Sequence, residues 1–486
     1  MSSLSSKIAV NSAAQAARQI VVAVAGIVSV GVATRYLSID EYGGVLAALV
    51  LLSLVSVASD FGISAMTVRA IAREPEKEVA IASSAFWVWI AFSIPTALVI
   101  LLISHLAYPG PENEVTRQAV LVLMSTFVLA PLGGVANVMA IARQRVWITS
   151  VASILARALA LGAIIAAALL DLGTLGISVA FASGFVLESF FAIVLVRPRV
   201  EPRLGLDAAR IRTLIAAAVP LGLVMVVNSM YFRIDAFLLS VLGSDRDVAL
   251  YGVAYRAFDT LLALPGFVMI TLLPVLARLS PDEPRFQELV QKAFTGMAVL
   301  ALPIAGFSLL GPEAMVALAG SQYREGGPVL TLIMLSVACA CVQGVFGNTL
   351  VTQGKQLVLL RVSLAVLVVN VALNAAAIPL LGAPGAAGAL LVSELLSLSL
   401  TMVAYRTVAP LPRIERPARM LLALAALVAA GSVRFAIPDD IVAMLVAVVV
   451  GSAAYVAALF ALNAMPEYIV RPLLSAARTI RPRSVT

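Results

Sequence analysis

Along this chain, apolar runs of bilayer length follow one another with only short polar gaps between them. The runs "AFSIPTALVILLIS" and "IVAMLVAVVVGSAAYVAALFAL" are apolar throughout, so they read as helices and not as the alternating strands of a membrane barrel. A spanning helix needs about 20 mostly apolar residues. Fourteen such spans fit between residues 14 and 462, among them 44–67, 118–142, 213–242 and 248–276. The start, "MSSLSSKIAVNSAAQAARQIVVAVAG", has no compact apolar core followed by a small-residue cleavage site and reads as a retained first helix. Pro95, Pro131, Pro220, Pro265, Pro274 and Pro303 fall inside spans and are expected to bend them.

Composition agrees with this pattern. Of 486 residues, 62% are hydrophobic and 12% charged, with mean hydropathy +1.04, which excludes an ordinary soluble domain and a disordered chain. Charge then orients the spans. Of 33 Lys and Arg residues, 24 fall in connections on the side that carries both termini, 5 on the opposite side and 4 inside spans. Both termini are therefore expected in the cytoplasm. The same asymmetry explains most of the net charge of +7, so the basic surface is expected to meet anionic membrane lipid and no nucleic acid. Cys339 and Cys341 point in different directions around a helix and read as small packing residues. His105 is the sole histidine and has no second ligand at metal-binding spacing, so neither a metal nor a cofactor is expected.

An internal repeat organises the chain. Tyr42-Gly43 in "DEYGGVLAAL" recurs 209 residues later as Tyr251-Gly252 in "ALYGVAYRAF". Gln144 recurs as Gln353, and Gly173 with Gly176 as Gly382 with Gly385, at the same offset. One offset across three landmarks indicates a duplicated six-helix unit. Six being even, the two copies enter the membrane in the same direction and should be related by an axis along the membrane normal. The expected architecture is an all-α polytopic membrane protein of about 14 transmembrane helices. Residues 1–200 form one six-helix lobe, 201–212 a cytoplasmic linker, 213–408 the second lobe in parallel repeat, 409–465 two extra C-terminal helices and 466–486 a basic cytoplasmic tail.

The stretches "RYLSIDEYGGVLAAL", "SDFGISA", "LLSVLGSDRDVALYGVAYRAFDTL", "ALAGSQYREGGPVLTLIML" and "VVNVALNAAAIPLLGAPGAAGALLVSELLS" resemble the polysaccharide-flippase family, the Wzx-type exporters of O-antigen and exopolysaccharide repeat units. These belong to the multidrug/oligosaccharidyl-lipid/polysaccharide exporter superfamily. The resemblance covers nearly the whole chain, with Ser38 where the family often has Gly and Ala319 where Phe is common. It implies a two-lobed alternating-access carrier that moves an undecaprenyl-diphosphate-linked oligosaccharide from the cytoplasmic to the outer leaflet of the bacterial cytoplasmic (inner) membrane. A polysaccharide polymerase and co-polymerase are then candidate partners, and proton or sodium the candidate coupling ion. The extra helix pair is similar to that of fourteen-helix members, whereas multidrug extruders usually stop at twelve. A lipid II flippase or a multidrug antiporter of the same superfamily is the nearest alternative. An enzyme, such as a polymerase or ligase of the same sugar chains, is the alternative of a different class. Its main obstacle is the longest outer connection, "GPEAMVALAGSQYREGG", which holds no Ser/His/Asp or paired-carboxylate set.

Charges inside the spans mark the candidate site, because an ionisable group in hydrocarbon is costly and tends to face a protein-lined or watery interior. A flippase must replace the hydration of a diphosphate and many hydroxyls. Arginine offers a permanent charge and a planar fork of donors that matches phosphate oxygens. Arg18, Arg157, Arg233 and Arg256 are the candidate cavity cations. Asp60, Glu188, Asp235, Asp259 and Glu394 are candidates for ion coupling or for charge pairing. Internal pairing is the competing role: Arg256 with Asp259 at helical spacing, Asp235 with Arg233 or Arg256, and Arg18 with Asp60 across helices. Arg157 has no acid near it in sequence.

Overall fold

Hydrocarbon offers the backbone no water to bond, so each apolar run closes its own hydrogen bonds, and among the described residues every regular element is a helix. The computed structural model describes residues 4–198, 200–201 and 206–464. The basic tail 466–486 and residues 202–205 of the linker lie outside these. Among the described residues, thirteen helical stretches, from Val10–Tyr36 to Asp440–Ala461, are long and apolar enough to cross a membrane. The remaining expected span, 248–276, is helical but divided into Asp245–Leu261 and Ala263–Leu276. Pro265 has no N–H for the carbonyl of Leu261, and its ring crowds that carbonyl, so the helical ladder is interrupted there.

Residues Met1–Gly252 with Asn374–Gly382 form one compact unit. It holds α1 (Leu4–Tyr36), α2 (Ile39–Asp60), α3 (Ile63–Arg73), α4 (Glu78–Ala107), α5 (Glu114–Met124), α6 (Thr126–Ala142), α7 (Val146–Leu169), α8 (Gly173–Val196), α9 (Ala208–Leu242) and the first turns of α10 (Asp245–Leu261). Val253–Leu373 with Ala383–Thr486 form the other. There the rest of α10 is followed by α11 (Ala263–Leu276), α12 (Pro284–Phe307), α13 (Gly311–Ala319), α14 (Gly327–Thr352), most of α15 (Gln356–Leu381), α16 (Ala383–Tyr405), α17 (Pro417–Gly431) and α18 (Asp440–Ala461). These units follow packing, and their boundary at Gly252 differs from the lobe bounds 1–200 and 213–408 expected from the repeat.

Span 44–67 is broken where α2 gives way to α3. Phe61 and Gly62 take φ of 39° and 80° there. The Asp60 carboxylate accepts the Ser64 backbone N–H at 3.3 Å, together with the Ser64 hydroxyl, and so caps the start of α3. Gly62 lies against the backbone of Ala218 and Gly222 on α9, an approach that a side chain would prevent. The apolar core of this unit joins α3, α4, α6 and α9 through Ile63, Trp89, Met139 and Leu214.

Landmarks of the repeat carry similar local structure, with one difference of register: the counterpart of Gln144 in the second copy is Gly354 and not Gln353, whose φ is −92°. After α6, Arg145 N–H bonds to Ala140 O at 2.8 Å with Gln144 at φ 56°; after α14, Lys355 N–H bonds to Leu350 O at 3.0 Å with Gly354 at φ 72°. Both are the same left-handed helix ending. Gly173 and Gly382 have φ of 61° and 60°. Reciprocal capping pairs, Ser38 with Glu41 and Ser244 with Asp247, open α2 and α10, three residues out of register with the fully buried Tyr42 and Tyr251, which follow the 209-residue offset. A serine at position 38 is thus a helix cap.

In the second unit, α17 and α18 pack on α12 through Met420, Leu427, Leu459 and Val299. Tyr455 Oη donates to the Val299 carbonyl at 2.9 Å, and Arg324 pairs with Asp440 at 2.5 Å. The extra helix pair is therefore part of this unit.

Candidate functional site

Four helices of the first unit leave a polar cavity of about 430 Å³ between them. α1 presents Gln15 and Arg18, one turn apart on the same face, and α6 presents Gly133, Gly134 and Asn137. α7 adds Thr149 and Ser150, and α8 adds Glu188 and Ser189. Glycine decides how closely these helices approach: a methyl at Gly133 would come within 2.6 Å of Ser189 Oγ, and one at Gly134 within 3.2 Å of the Trp89 ring. The start of α1 is tied to the turn after α6, since Asn11 Nδ2 donates to Gln144 O at 2.9 Å and Trp147 N–H donates to Asn11 Oδ1 at 3.1 Å.

Arg18 lines this cavity and has no ion-pair partner among the described residues. Asp60, its expected partner, instead accepts Ser64 and the Trp89 indole N–H, the latter at 3.2 Å. The same Trp89 ring backs Gly134, so Asp60 serves the wall behind the cavity.

Arg157 does have an acid beside it, contrary to the reading from sequence neighbours. Its Nη2 lies 3.3 Å from Glu188 Oε2 on α8, with side chains 27% and 36% exposed, and its guanidinium sits 4.8 Å over the Phe185 ring. Its Nε is buried without a hydrogen-bond partner. Arg157 lies seven residues beyond Ser150 on α7, about 10 Å further along the helix axis. Arg18, Glu188 and Arg157 therefore form one polar track. The residues missed from the sequence are Gln15, Asn137, Thr149, Ser150 and Ser189; their only signal was polarity at helical spacing inside apolar runs.

The other candidate charges are placed differently. Asp235 is 1% exposed and accepts the Tyr251 hydroxyl and, at 2.8 Å, the Ala236 backbone N–H, a pairing with tyrosine that sequence reading did not include. Arg233 is half-buried on the same helix. Arg256 is exposed and Asp259, one turn on along the same helix, is half-buried. Glu394 is 3% exposed on α16, and like Arg256 and Asp259 it belongs to the second unit.

An all-helical, many-span chain with a polar cavity inside one compact unit defines a polytopic membrane protein. Its fold is similar to that of a lipid II flippase, MurJ, in an inward closed conformation: TM-score 0.77 at 12% identity, covering 92% of this chain and 97% of that one. It is also similar to a multidrug resistance MATE family transporter of the MOP superfamily in an inward-facing conformation, at TM-score 0.66 and 15% identity, covering 80% and 94%. Residues 32–328, more than half the chain, match the family described as "Polysaccharide biosynthesis protein", and the chain belongs to that family. Among curated proteins it is 25% identical over 326 residues to the succinoglycan biosynthesis transport protein ExoT of Rhizobium meliloti (strain 1021), a match that takes in 64% of this chain and 62% of that protein's length.

Proposed function

We propose that the protein is a flippase that carries undecaprenyl-diphosphate-linked oligosaccharide repeat units from the cytoplasmic to the outer leaflet of the bacterial inner membrane, for cell-surface or exopolysaccharide biosynthesis. The observation that carries this reading is the polar cavity inside a membrane-spanning unit, lined by Arg18 with no acid paired to it. A phosphate or hydroxyl leaving water loses several kcal/mol of hydration unless new partners replace it, and about 430 Å³ of amide, hydroxyl and guanidinium wall supplies such partners. Membership of the polysaccharide biosynthesis family and the similarity to the Rhizobium succinoglycan biosynthesis transport protein support the same substrate class. The matching turns at Gln144 and Gly354, and at Gly173 and Gly382, support the duplicated lobes on which alternating access depends. In this reading both termini are cytoplasmic, the protein acts without catalytic chemistry of its own, and a polymerase and co-polymerase receive its product.

The test is movement of a fluorescent lipid-linked repeat unit across vesicles containing the purified full chain. Wild-type vesicles should move it, Arg18→Ala should move it at least tenfold more slowly at equal reconstitution, and Arg18→Lys should fall between, keeping the charge without the fork. Wild-type vesicles no faster than protein-free ones would remove the proposal.

A further inference from the structure

Among the described residues Arg18 is the only cation in the cavity wall; the rest of the polar lining is Gln15, Asn137, Thr149, Ser150, Glu188 and Ser189. Amides and hydroxyls both donate and accept, as sugar hydroxyls do, whereas a phosphate at neutral pH chiefly accepts. Glu188 sharpens the distinction. An ionised carboxylate has only lone pairs to offer, so it repels a diphosphate but accepts hydroxyls well, with bonds stronger than neutral ones. Arg157, behind it at 3.3 Å, fixes its orientation. The volume of about 430 Å³ lies within the ordinary small-molecule range of roughly 300–1,000 Å³ and suits a short glycan end, not a whole lipid-linked unit. Glycine at 133 lets α6 approach Ser189 of α8, and glycine at 134 lets it approach the Trp89 ring behind the wall, so Asn137 is the polar side chain that α6 brings to the cavity.

We infer that this cavity is a sugar-binding subsite built into the first unit, in which Glu188 accepts sugar hydroxyls, Asn137 and Gln15 fix their directions, and Arg157 is a positioning residue for Glu188. The inference rests on the flippase reading only for where the sugar comes from, a lipid-linked unit or a free saccharide. Arg157 acts here through Glu188 and not on phosphate.

The experiment uses the full chain in nanodiscs, titrated with lipid-free oligosaccharide released from the host's own surface polymer and, separately, with sugar-free undecaprenyl diphosphate. Trp89 lies against the cavity wall at Gly134, so tryptophan fluorescence reports occupancy. Oligosaccharide should bind saturably to wild type. Asn137→Ala and Glu188→Gln should each weaken it about tenfold, close to 1.4 kcal/mol, and lower the ratio of oligosaccharide to sugar-free lipid affinity by the same factor. Arg157→Ala should match Glu188→Gln, and Arg157→Lys should restore most of the affinity, a rescue that a purely structural role would not predict. If Gly133→Val, which fills the cavity, fails to fold, Asn137→Ala still decides, since it only removes atoms. No saturable oligosaccharide binding by wild type, or unchanged affinity in both Asn137→Ala and Glu188→Gln, overturns the subsite. Loss of the subsite with intact vesicle transport leaves the flippase reading standing. Oligosaccharide binding without transport leaves the subsite and removes that reading, the ligand then being a free saccharide.

Discussion

The same substitution, glycine to alanine, is expected to have opposite effects at two positions of the first unit. At Gly43, near the start of α2, the added methyl would fall on the backbone carbonyl oxygen of Asp245 at the start of α10. Neither side can yield cheaply, because each helix start is held by its own capping pair, Ser38 with Glu41 and Ser244 with Asp247. Overpacking of this kind costs about 1–3 kcal/mol, and a contact against backbone belongs at the upper end, ~3 kcal/mol. At Gly162 in α7 a methyl meets nothing within 4 Å. There alanine gains up to about 1 kcal/mol of helix propensity, less in lipid, where the separated helix persists. The two variants should thus differ by about 3–4 kcal/mol. At roughly 2–4 °C per kcal/mol for a unit of this size, their apparent melting midpoints should lie about 6–16 °C apart. The assay heats purified protein in detergent at one fixed rate and measures the monodisperse fraction that remains, since unfolding of such a protein is expected to be irreversible. A Gly43→Ala midpoint at or above that of wild type would refute the reasoning.

Arg434 donates to the Leu309 carbonyl and to Glu313 Oε2 at 3.4 Å, with side chains only 15% and 12% exposed, so Arg434→Ala strands a carboxylate and should cost ~3 kcal/mol; adding Glu313→Gln should recover part of the lost membrane abundance, and no recovery would mean the pair is not what holds that end of α17. With Cys339 and Cys341 replaced by alanine, a membrane-impermeant maleimide on intact cells should label Asn113→Cys and spare Ser280→Cys, because Arg278 and Arg285 place the latter connection on the arginine-rich side. Labelling at Ser280→Cys from outside would reverse the orientation.

Spans and turns were legible along the chain because each is a local property. A bilayer demands a fixed length of apolar helix, and a helix that must end and reverse needs a residue tolerant of positive φ, so "LDLGTLG" and "LLGAPG" announced Gly173 and Gly382. The division of span 248–276 at Leu262 follows equally from Pro265. The sequence did not say which polar residues meet. In a soluble helix an apolar stripe points to the core, but helices in lipid are apolar on every side, so no stripe tells which way Arg157 faces. Its partner Glu188 lies 31 residues away on the neighbouring helix, and only the rotation of α7 and α8 against each other brings them together. The same holds for Asp60 with Trp89, for Asp235 with Tyr251, and for the neutral wall of Gln15, Asn137 and Ser189. Sequence alone determined that this chain crosses the membrane many times as apolar helices with charge inside them. Which charges are paired, which stands open in a cavity, and what that cavity is lined with depend on contacts between helices distant in sequence, and these exist only once the helices have packed.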